Sequence, residues 1–263
     1  MVVFRGDPCG ICCILITYAA VFYADYVVVR HLVIPSMSDT LWGVLNVFLF
    51  NLIVFLIAAS HLRAVMSDPG IVPLPTTSLD FSDMHNGQKK ELSNGWSVCM
   101  KCETYRPPRA HHCRICRRCI RRMDHHCPWI NNCVGEFNQK YFMQFLFYVG
   151  MAAIHATTMV IVSWILDPGV QGDHKSLKLV HSICLIIESL LFGLFVIAIG
   201  CDQLSAIFND ETGVEYVKKE GLHRNKSKLQ LLQEVFGNSH PAMWLCPLVD
   251  TQQKKATLSM HDV

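Results

Sequence analysis

Four long apolar stretches, Ile11–Ile34, Leu41–Leu62, Tyr141–Leu166 and Leu179–Cys201, constrain this chain more than any other feature. Each exceeds 20 residues. At about 1.5 Å of rise per residue, each can cross a hydrocarbon core about 30 Å thick as a helix. One such stretch could be a buried helix of a soluble protein; four in 263 residues argue for a polytopic membrane protein. Composition agrees, with 51% apolar and only 17% charged residues against roughly 25% charged in an ordinary soluble domain. A single soluble globule and a disordered chain are excluded. So is a basic nucleic-acid-type protein, because the formal net charge is only +2. The first stretch is too long for a signal-peptide core, and no small-residue cleavage site clearly follows it.

The positive charges orient the spans. Arg63–Lys140 carries 12 Lys/Arg and the tail after Cys201 carries seven, whereas Pro35–Thr40 carries none and Asp167–Lys178 only Lys175 and Lys178. The positive-inside rule puts both termini and the long middle segment in the cytosol. Polar residues within the spans need an explanation. Arg30 lies near a span end and can snorkel to the interface, while Asp25 and Glu188 are deeper and either line a cavity or pair with another helix. Asn46, Asn51 and His155 are expected as helix–helix hydrogen-bonding groups. None supports a proton relay.

Seven of the 13 cysteines fall between Cys99 and Cys133, in CMKCETYRPPRAHHCRICRRCIRRMDHHCPWINNC. Thiols in a cytosolic segment stay reduced, so the cluster points to metal or catalysis rather than disulfides. Cys99-x2-Cys102 and Cys113-x2-Cys116-x2-Cys119 are spacings that bring two thiolates to one ion. A structural zinc ion takes four Cys or His ligands tetrahedrally. Two ions would use eight of the eleven candidates offered by the seven Cys with His111, His112, His125 and His126. Asp124-His125-His126-Cys127 sets a carboxylate, an imidazole and a thiol side by side. An imidazole can take a thiol's proton and a carboxylate can orient the imidazole. Spacing leaves open whether Cys127 and His125 do this or are ligands of a purely structural finger.

This segment resembles the cysteine-rich domain of the DHHC protein S-acyltransferases (palmitoyltransferases). The resemblance rests on the tetrad itself and on Pro128-Trp129-Ile130-Asn131-Asn132-Cys133-Val134-Gly135, Asn138 and Phe142. Asp68-Pro69-Gly70 after the second span, the four spans and the position of the block extend it from about Gly6 to Phe236. Arg63–Pro73 and Asp210–Glu215 look similar to the Golgi-type members. The implied fold class is mainly α: a four-helix transmembrane bundle with a small cytosolic cysteine-rich domain binding two zinc ions. Residues 1–66 would hold the N-terminal segment and helices 1 and 2, 67–140 the linker and zinc domain, 141–201 helices 3 and 4, and 202–263 a cytosolic tail.

The resemblance implies two interleaved structural zinc sites, one of Cys99, Cys102, His112 and Cys119, the other of Cys113, Cys116, His126 and Cys133. It implies Cys127 as nucleophile, His125 as general base and Asp124 as the residue orienting it. The expected reaction carries a long-chain acyl group from palmitoyl-CoA, through a thioester on Cys127, to membrane-proximal cysteines of substrate proteins. The partners are thus membrane lipid, acyl-CoA and substrate proteins, with no nucleic acid; a homo-oligomer is left open. Arg109 is the first candidate for the CoA phosphates among the arginines of the block, most of which would serve as membrane anchors. Gly150, Ala152 and Ala153 would leave room for an acyl tail or simply pack helices.

Two departures stand out. The usual Thr-Thr-x-Glu after the fourth span reads Thr212-Gly213-Val214-Glu215, which puts a hydroxyl contact with Asp124 in doubt, and Leu231 stands where the family often has Asn. Pro73–Asn94 reads as a linker, Lys228–Phe236 as a short amphipathic helix and Thr251–Val263 as a polar, disordered end. Cys9, Cys12 and Cys13 at the start of span one are either acylated themselves or plain core thiols. The rival class is a non-catalytic membrane-anchored zinc scaffold. A ring-type ligase would space its ligands in wider pairs, and no broken-helix signature of a transporter is present.

Overall fold

The computed structural model describes residues 4, 6–74, 95–167, 173–219 and 226–250. Most of the expected linker, from residue 75 to 94, and the end Thr251–Val263 lie outside the described residues.

Helix α1 (Pro8–Tyr26) starts where the sequence provides a stop for its free N–H groups: Asp7 accepts from the Gly10 N–H at 2.9 Å and Pro8 opens the first turn. It runs through a π-helical stretch, Val27–Val33, into the short α2 (Ile34–Met37), where Pro35 has no N–H to continue the ladder. The turn into α3 (Leu41–Met66) is capped by Thr40, which accepts from the Gly43 N–H. Gly43 is required there, since a Cβ would stand 2.2 Å from the Met37 carbonyl oxygen. Helices α4 (Gln139–Leu166) and α5 (Asp173–Phe208) complete the bundle. The four spans are Pro8–Met37, Leu41–Met66, Gln139–Leu166 and Lys175–Phe208, each long and apolar enough to cross a membrane. They outrun the apolar stretches because helical hydrogen bonding continues past the point where side chains need to be apolar; α5 gains its last two turns this way.

The bundle core gathers Val28, Leu32, Phe50, Met159 and Leu185, all buried. The outer faces carry exposed Leu15, Trp42, Ile154 and Leu194, the pattern of a surface that meets lipid rather than water. Asn46 and Asn51 do not join helices as expected: each donates to a carbonyl one turn back in α3, Trp42 and Val47 respectively, which satisfies the amide within its own helix. His155 does sit between helices, stacked on Phe50 at 5.3 Å.

At one end of the bundle, between α3 and α4, lies a domain of three two-stranded antiparallel hairpins. Strand β1 (Ser97–Cys99) pairs with β2 (Thr104–Arg106), β3 (Ala110–Cys113) with β4 (Arg118–Arg121), and β5 (His125–Cys127) with β6 (Asn132–Val134). The domain is fixed to α3 through backbone groups that a helix end leaves unsatisfied. The Asn132 amide donates to the Ala64, Val65 and Ser67 carbonyls, and the Asn138 amide to those of Ala64 and Cys133. Asp68 closes a turn onto the Gly70 and Ile71 N–H groups, after which Gly70 O accepts from Arg121 N and Val72 N donates to Cys119 O. Gly135 permits this approach; a Cβ would meet the Pro69 carbonyl oxygen at 2.4 Å.

Beyond α5, the short α6 (Gly213–Lys218) and α7 (Lys228–Phe236) each open on a reciprocal capping box, Thr212 with Glu215 and Ser227 with Gln230. The amphipathic reading of Lys228–Phe236 holds. Its buried Leu231 and Val235 cluster with Ile207 of α5 and Met143 of α4. Leu231 therefore faces a core.

Candidate active site and metal clusters

The hairpins bring the eight Cys and His residues named from the sequence into two groups. Cys99, Cys102, His112 and Cys119 form one and Cys113, Cys116, His126 and Cys133 the other, with the ligand atoms of each group within 4.8 Å of one another. The β3–β4 register explains the interleaving: His112 lies opposite Cys119, while Cys113, next along the strand, belongs to the other cluster. Within the first group Cys102 Sγ lies 3.2 Å and Cys99 Sγ 3.6 Å from His112 Nδ1. In the second, Cys116 Sγ lies 3.4 Å from His126 Nδ1 and 3.5 Å from Cys133 Sγ. The edges of a zinc tetrahedron with bonds of about 2.3 Å to sulfur and 2.0–2.1 Å to nitrogen are about 3.5–3.8 Å. Both donor sets fit a zinc ion.

Among the described residues, Cys127 belongs to neither cluster. It ends β5 and is buried among Ala64, Ile130, Val134, Phe142 and Val196. His125, two residues back along the strand, faces the same side. Its Nδ1 donates to Asp124 Oδ2 at 2.6 Å, so the nitrogen free to meet the Cys127 thiol is Nε2. Phe142 braces the imidazole edge-on at 5.6 Å. Burial works against charge on His125, but its bonds with Asp124 and Cys127 outweigh this and lift its pKa to about 9. Asp124 is held below the usual carboxylate range despite its burial, because His125, the Gly213 N–H and the Gln203 amide all donate to it.

Two of those donors were not read from the sequence. The Gln203 amide, on the extended end of α5, reaches Asp124 Oδ2 at 2.7 Å. Gly213 N–H reaches Asp124 Oδ1 at 2.6 Å. The doubt raised by the missing second threonine has a structural answer: the main chain at the first turn of α6 supplies the bond. The Thr212 hydroxyl oxygen accepts from the Glu215 N–H as the cap of α6. Thr212-x-x-Glu215 as a capping box was the one local signal that a helix begins at Gly213.

Arg109 is engaged within the protein. It sits at φ +65° in the turn before β3 and directs Nε and an Nη at the Glu215 carboxylate, the other Nη at Asp210 Oδ1, and a further N–H at the Asp210 carbonyl, all between 2.6 and 2.8 Å. Its side chain is only 9% exposed. A guanidinium so engaged has little left for a phosphate. Burial opposes its charge, yet the two carboxylates raise its pKa, and Arg109 keeps Asp210 and Glu215 below theirs.

After Cys127 the chain makes a single 3-10 turn, Pro128–Ile130, and reverses at Asn131, left-handed at φ +46°. The Trp129 carbonyl is held by His61 Nε2 of α3 at 3.0 Å, and His61 Nδ1 in turn accepts from the Tyr18 hydroxyl of α1 at 3.2 Å. Below Trp129 an apolar cavity runs between the helices, lined by Ala20 and Val21 of α1, Ile57 of α3, Ala152 and Ala153 of α4 and Phe192 of α5, with Glu188 also on its wall. On the other side, Asp124 and His125 open onto a more polar cleft of about 790 Å³ bounded by Gln203, Asn209, Thr212 and Lys218.

A thiol, an imidazole and a carboxylate in line beside two Cys3His clusters is the arrangement expected of one family, and comparison with known proteins decides it. Residues 92–220 match the family model described as DHHC palmitoyltransferase. Palmitoyltransferase ZDHHC3 of Homo sapiens is 39% identical over 261 residues, covering 96% of this chain and 85% of the relative. The chain belongs to the DHHC palmitoyltransferase family. Palmitoyltransferase ZDHHC7 of Mus musculus is 36% identical over 254 residues, covering 94% of this chain and 80% of the relative. Probable protein S-acyltransferase 12 of Arabidopsis thaliana is 30% identical over 256 residues, with 89% and 86% covered. As a DHHC palmitoyltransferase, the chain is an enzyme of S-acyl transfer.

Proposed function

We propose that Cys127 carries the acyl group of palmitoyl-CoA as a thioester and passes it to cysteines of substrate proteins at the cytosolic membrane face. The observation that carries this reading is the Asp124–His125–Cys127 line, with Cys127 outside both metal clusters. His125 Nε2 would take the thiol proton as Cys127 adds to the CoA thioester carbonyl, and CoA would leave as its thiol. In the second half, His125 would take the proton of the incoming substrate cysteine while Cys127 departs. Asp124, held by Gln203 and Gly213, fixes the tautomer of His125 throughout. Splitting the transfer lets two large partners use one site in turn.

The membrane has a physical part in this. An acyl chain gains about 0.8 kcal/mol per buried methylene, and the apolar cavity below Trp129 offers it such burial next to the thioester. The donor's headgroup and then the substrate chain would reach His125 from the polar cleft. Zinc is the metal proposed for the eight Cys and His residues; when bound it closes the hairpins, and nothing in the transfer passes through it. Arg109 is proposed as a clamp between the zinc domain and α6 rather than as a phosphate ligand. The surplus of Lys and Arg in the middle segment and tail supports both termini in the cytosol. Residence in the Golgi or another endomembrane is our reading from the family resemblance.

The test uses detergent-purified protein, wild type beside Cys127→Ser, incubated with labelled palmitoyl-CoA. The expected result is hydroxylamine-labile label on wild type alone with two zinc ions in both. Equal labelling, or none on folded wild type, would return the molecule to the scaffold reading. Zinc loss in the variant would make Cys127 a ligand.

A further inference from the structure

Cys9, Cys12 and Cys13 belong to neither metal cluster and have no part in the chemistry just described. Their position is informative. The first turns of α1 lie directly against the turn that follows Cys127: a Cβ on Gly10 would stand 2.2 Å from Asn131 Oδ1, so only glycine allows the approach. One turn further into the bundle the Cys13 thiol is half-buried, and its neighbour Ile14 packs against the buried cluster that holds Cys127. Cys13 is also in line with the cavity. Thr17 donates to the Cys13 carbonyl at 2.9 Å, and Thr17, Ala20, Val21 and Ala24 line the cavity from α1. Residues 13, 17, 20, 21 and 24 follow a helix's three- and four-residue spacing and share one face. Cys13 therefore stands on the cavity-lining face of α1, one turn above its first lining residue, in the part of the helix that packs against the turn after Cys127.

We infer that Cys13 is a second acylation site, loaded from Cys127 within the same chain. This rests on the reading of Cys127 as the acyl carrier. The Cys13 sulfur adds to the thioester carbonyl on Cys127, a new carbon–sulfur bond forms, and the bond to Cys127 breaks. The proton leaving Cys13 ends on Cys127, by way of His125. One thioester replaces another, so no oxidant or further reactant is needed, and the exchange is close to balanced. The acyl chain can keep its contacts with α1 while its carboxyl end shifts between sulfurs. Cys9, exposed and one helical turn before Cys13, would be the next stop toward the surface.

The experiment maps thioesters on the full-length zinc-loaded protein after incubation with labelled palmitoyl-CoA, by mass spectrometry of peptides before and after hydroxylamine. Wild type, Cys13→Ser, Cys127→Ser and the triple Cys9, Cys12 and Cys13 to Ser variant are compared. Wild type should carry label on the Cys13 peptide that appears after the label on Cys127. Cys13→Ser should lose the first and keep the second, the triple variant should carry label on Cys127 alone, and Cys127→Ser should carry neither. Adding isotopically distinct active protein to Cys127→Ser should leave the latter's Cys13 unlabelled. Label confined to Cys127 in wild type, or label on Cys13 of Cys127→Ser with or without active chains, would overturn the inference. An unlabelled Cys127 in folded wild type would sink the acyl-enzyme reading itself and this inference with it.

Discussion

Asp124 accepts three hydrogen bonds, from His125 Nδ1, the Gln203 amide and the Gly213 N–H, and is almost wholly buried. Each donor to a buried carboxylate is worth more than an ordinary hydrogen bond, about 1.5–3 kcal/mol. Gly213 is the first residue of α6, a position where proline fits because its missing N–H is not part of the helical ladder. Gly213→Pro should therefore leave the α6 ladder intact while removing one donor to Asp124. It also presses ring carbons on that carboxylate, where even a Cβ would stand 3.2 Å from Oδ1, so the loss is at least that of the donor. Loss of about 1.5 kcal/mol of orientation corresponds to roughly tenfold slower acyl-enzyme formation, with zinc content unchanged. Pre-steady-state labelling by palmitoyl-CoA measures this; a rate equal to wild type would mean that Gly213 has no part in orienting His125. Asp124, His125 and Cys127 were legible because they are adjacent in sequence and form a motif. Gln203 was not, since a polar residue just beyond an apolar run looks like the start of a tail until α5 is seen to continue two turns past Cys201 with Gln203 on it at the site.

Two short elements, the turn before β3 and helix α6, are joined by the Arg109–Asp210–Glu215 cluster across sequence separations of 101 and 106 residues. Arg122 and Lys226 extend the network to Asp210 and to Glu234 of α7. From sequence alone an arginine beside a Cys/His block is a reasonable phosphate ligand; what spacing does not reveal is which carboxylates arrive from the far end of the chain. Removing one partner of a buried pair costs about 3–5 kcal/mol because the other charges stay buried. Arg109→Ala should lower the melting temperature in detergent and loosen α6 and α7, while surviving folded protein keeps the wild-type KM for palmitoyl-CoA. A raised KM with unchanged melting would reinstate Arg109 as a phosphate ligand. Acid should act on the same cluster. Asp210 and Glu215 titrate below their ordinary values when folded, so their contribution is complete above about pH 5 and is lost as pH falls through the folded values.

The molecule joins two parts with different sources of stability. The helices were legible in outline because lipid demands apolar length, but their ends were not, since backbone hydrogen bonding and caps such as Asp7 and Thr40, not hydropathy, decide where a helix stops. The hairpin domain has strands of three or four residues, too short to hold without metal. A strong zinc chelator should remove two ions per chain and abolish both protease resistance of residues 95–138 and palmitoyl-CoA labelling. Most helical circular dichroism should remain. Retained labelling after complete zinc loss would contradict a structural role. The bonds from Asn132 and Asn138 to the last carbonyls of α3 have one more effect. They make a span, and not the lipid headgroups, the support on which Cys127 stands. When the bilayer thins or thickens, the water boundary moves past the protein, but the height of the thiol above the Glu188 level of the cavity stays constant. With the acyl chain in that cavity, as proposed, the enzyme would carry its own ruler for the chain, with a reading independent of the membrane it occupies.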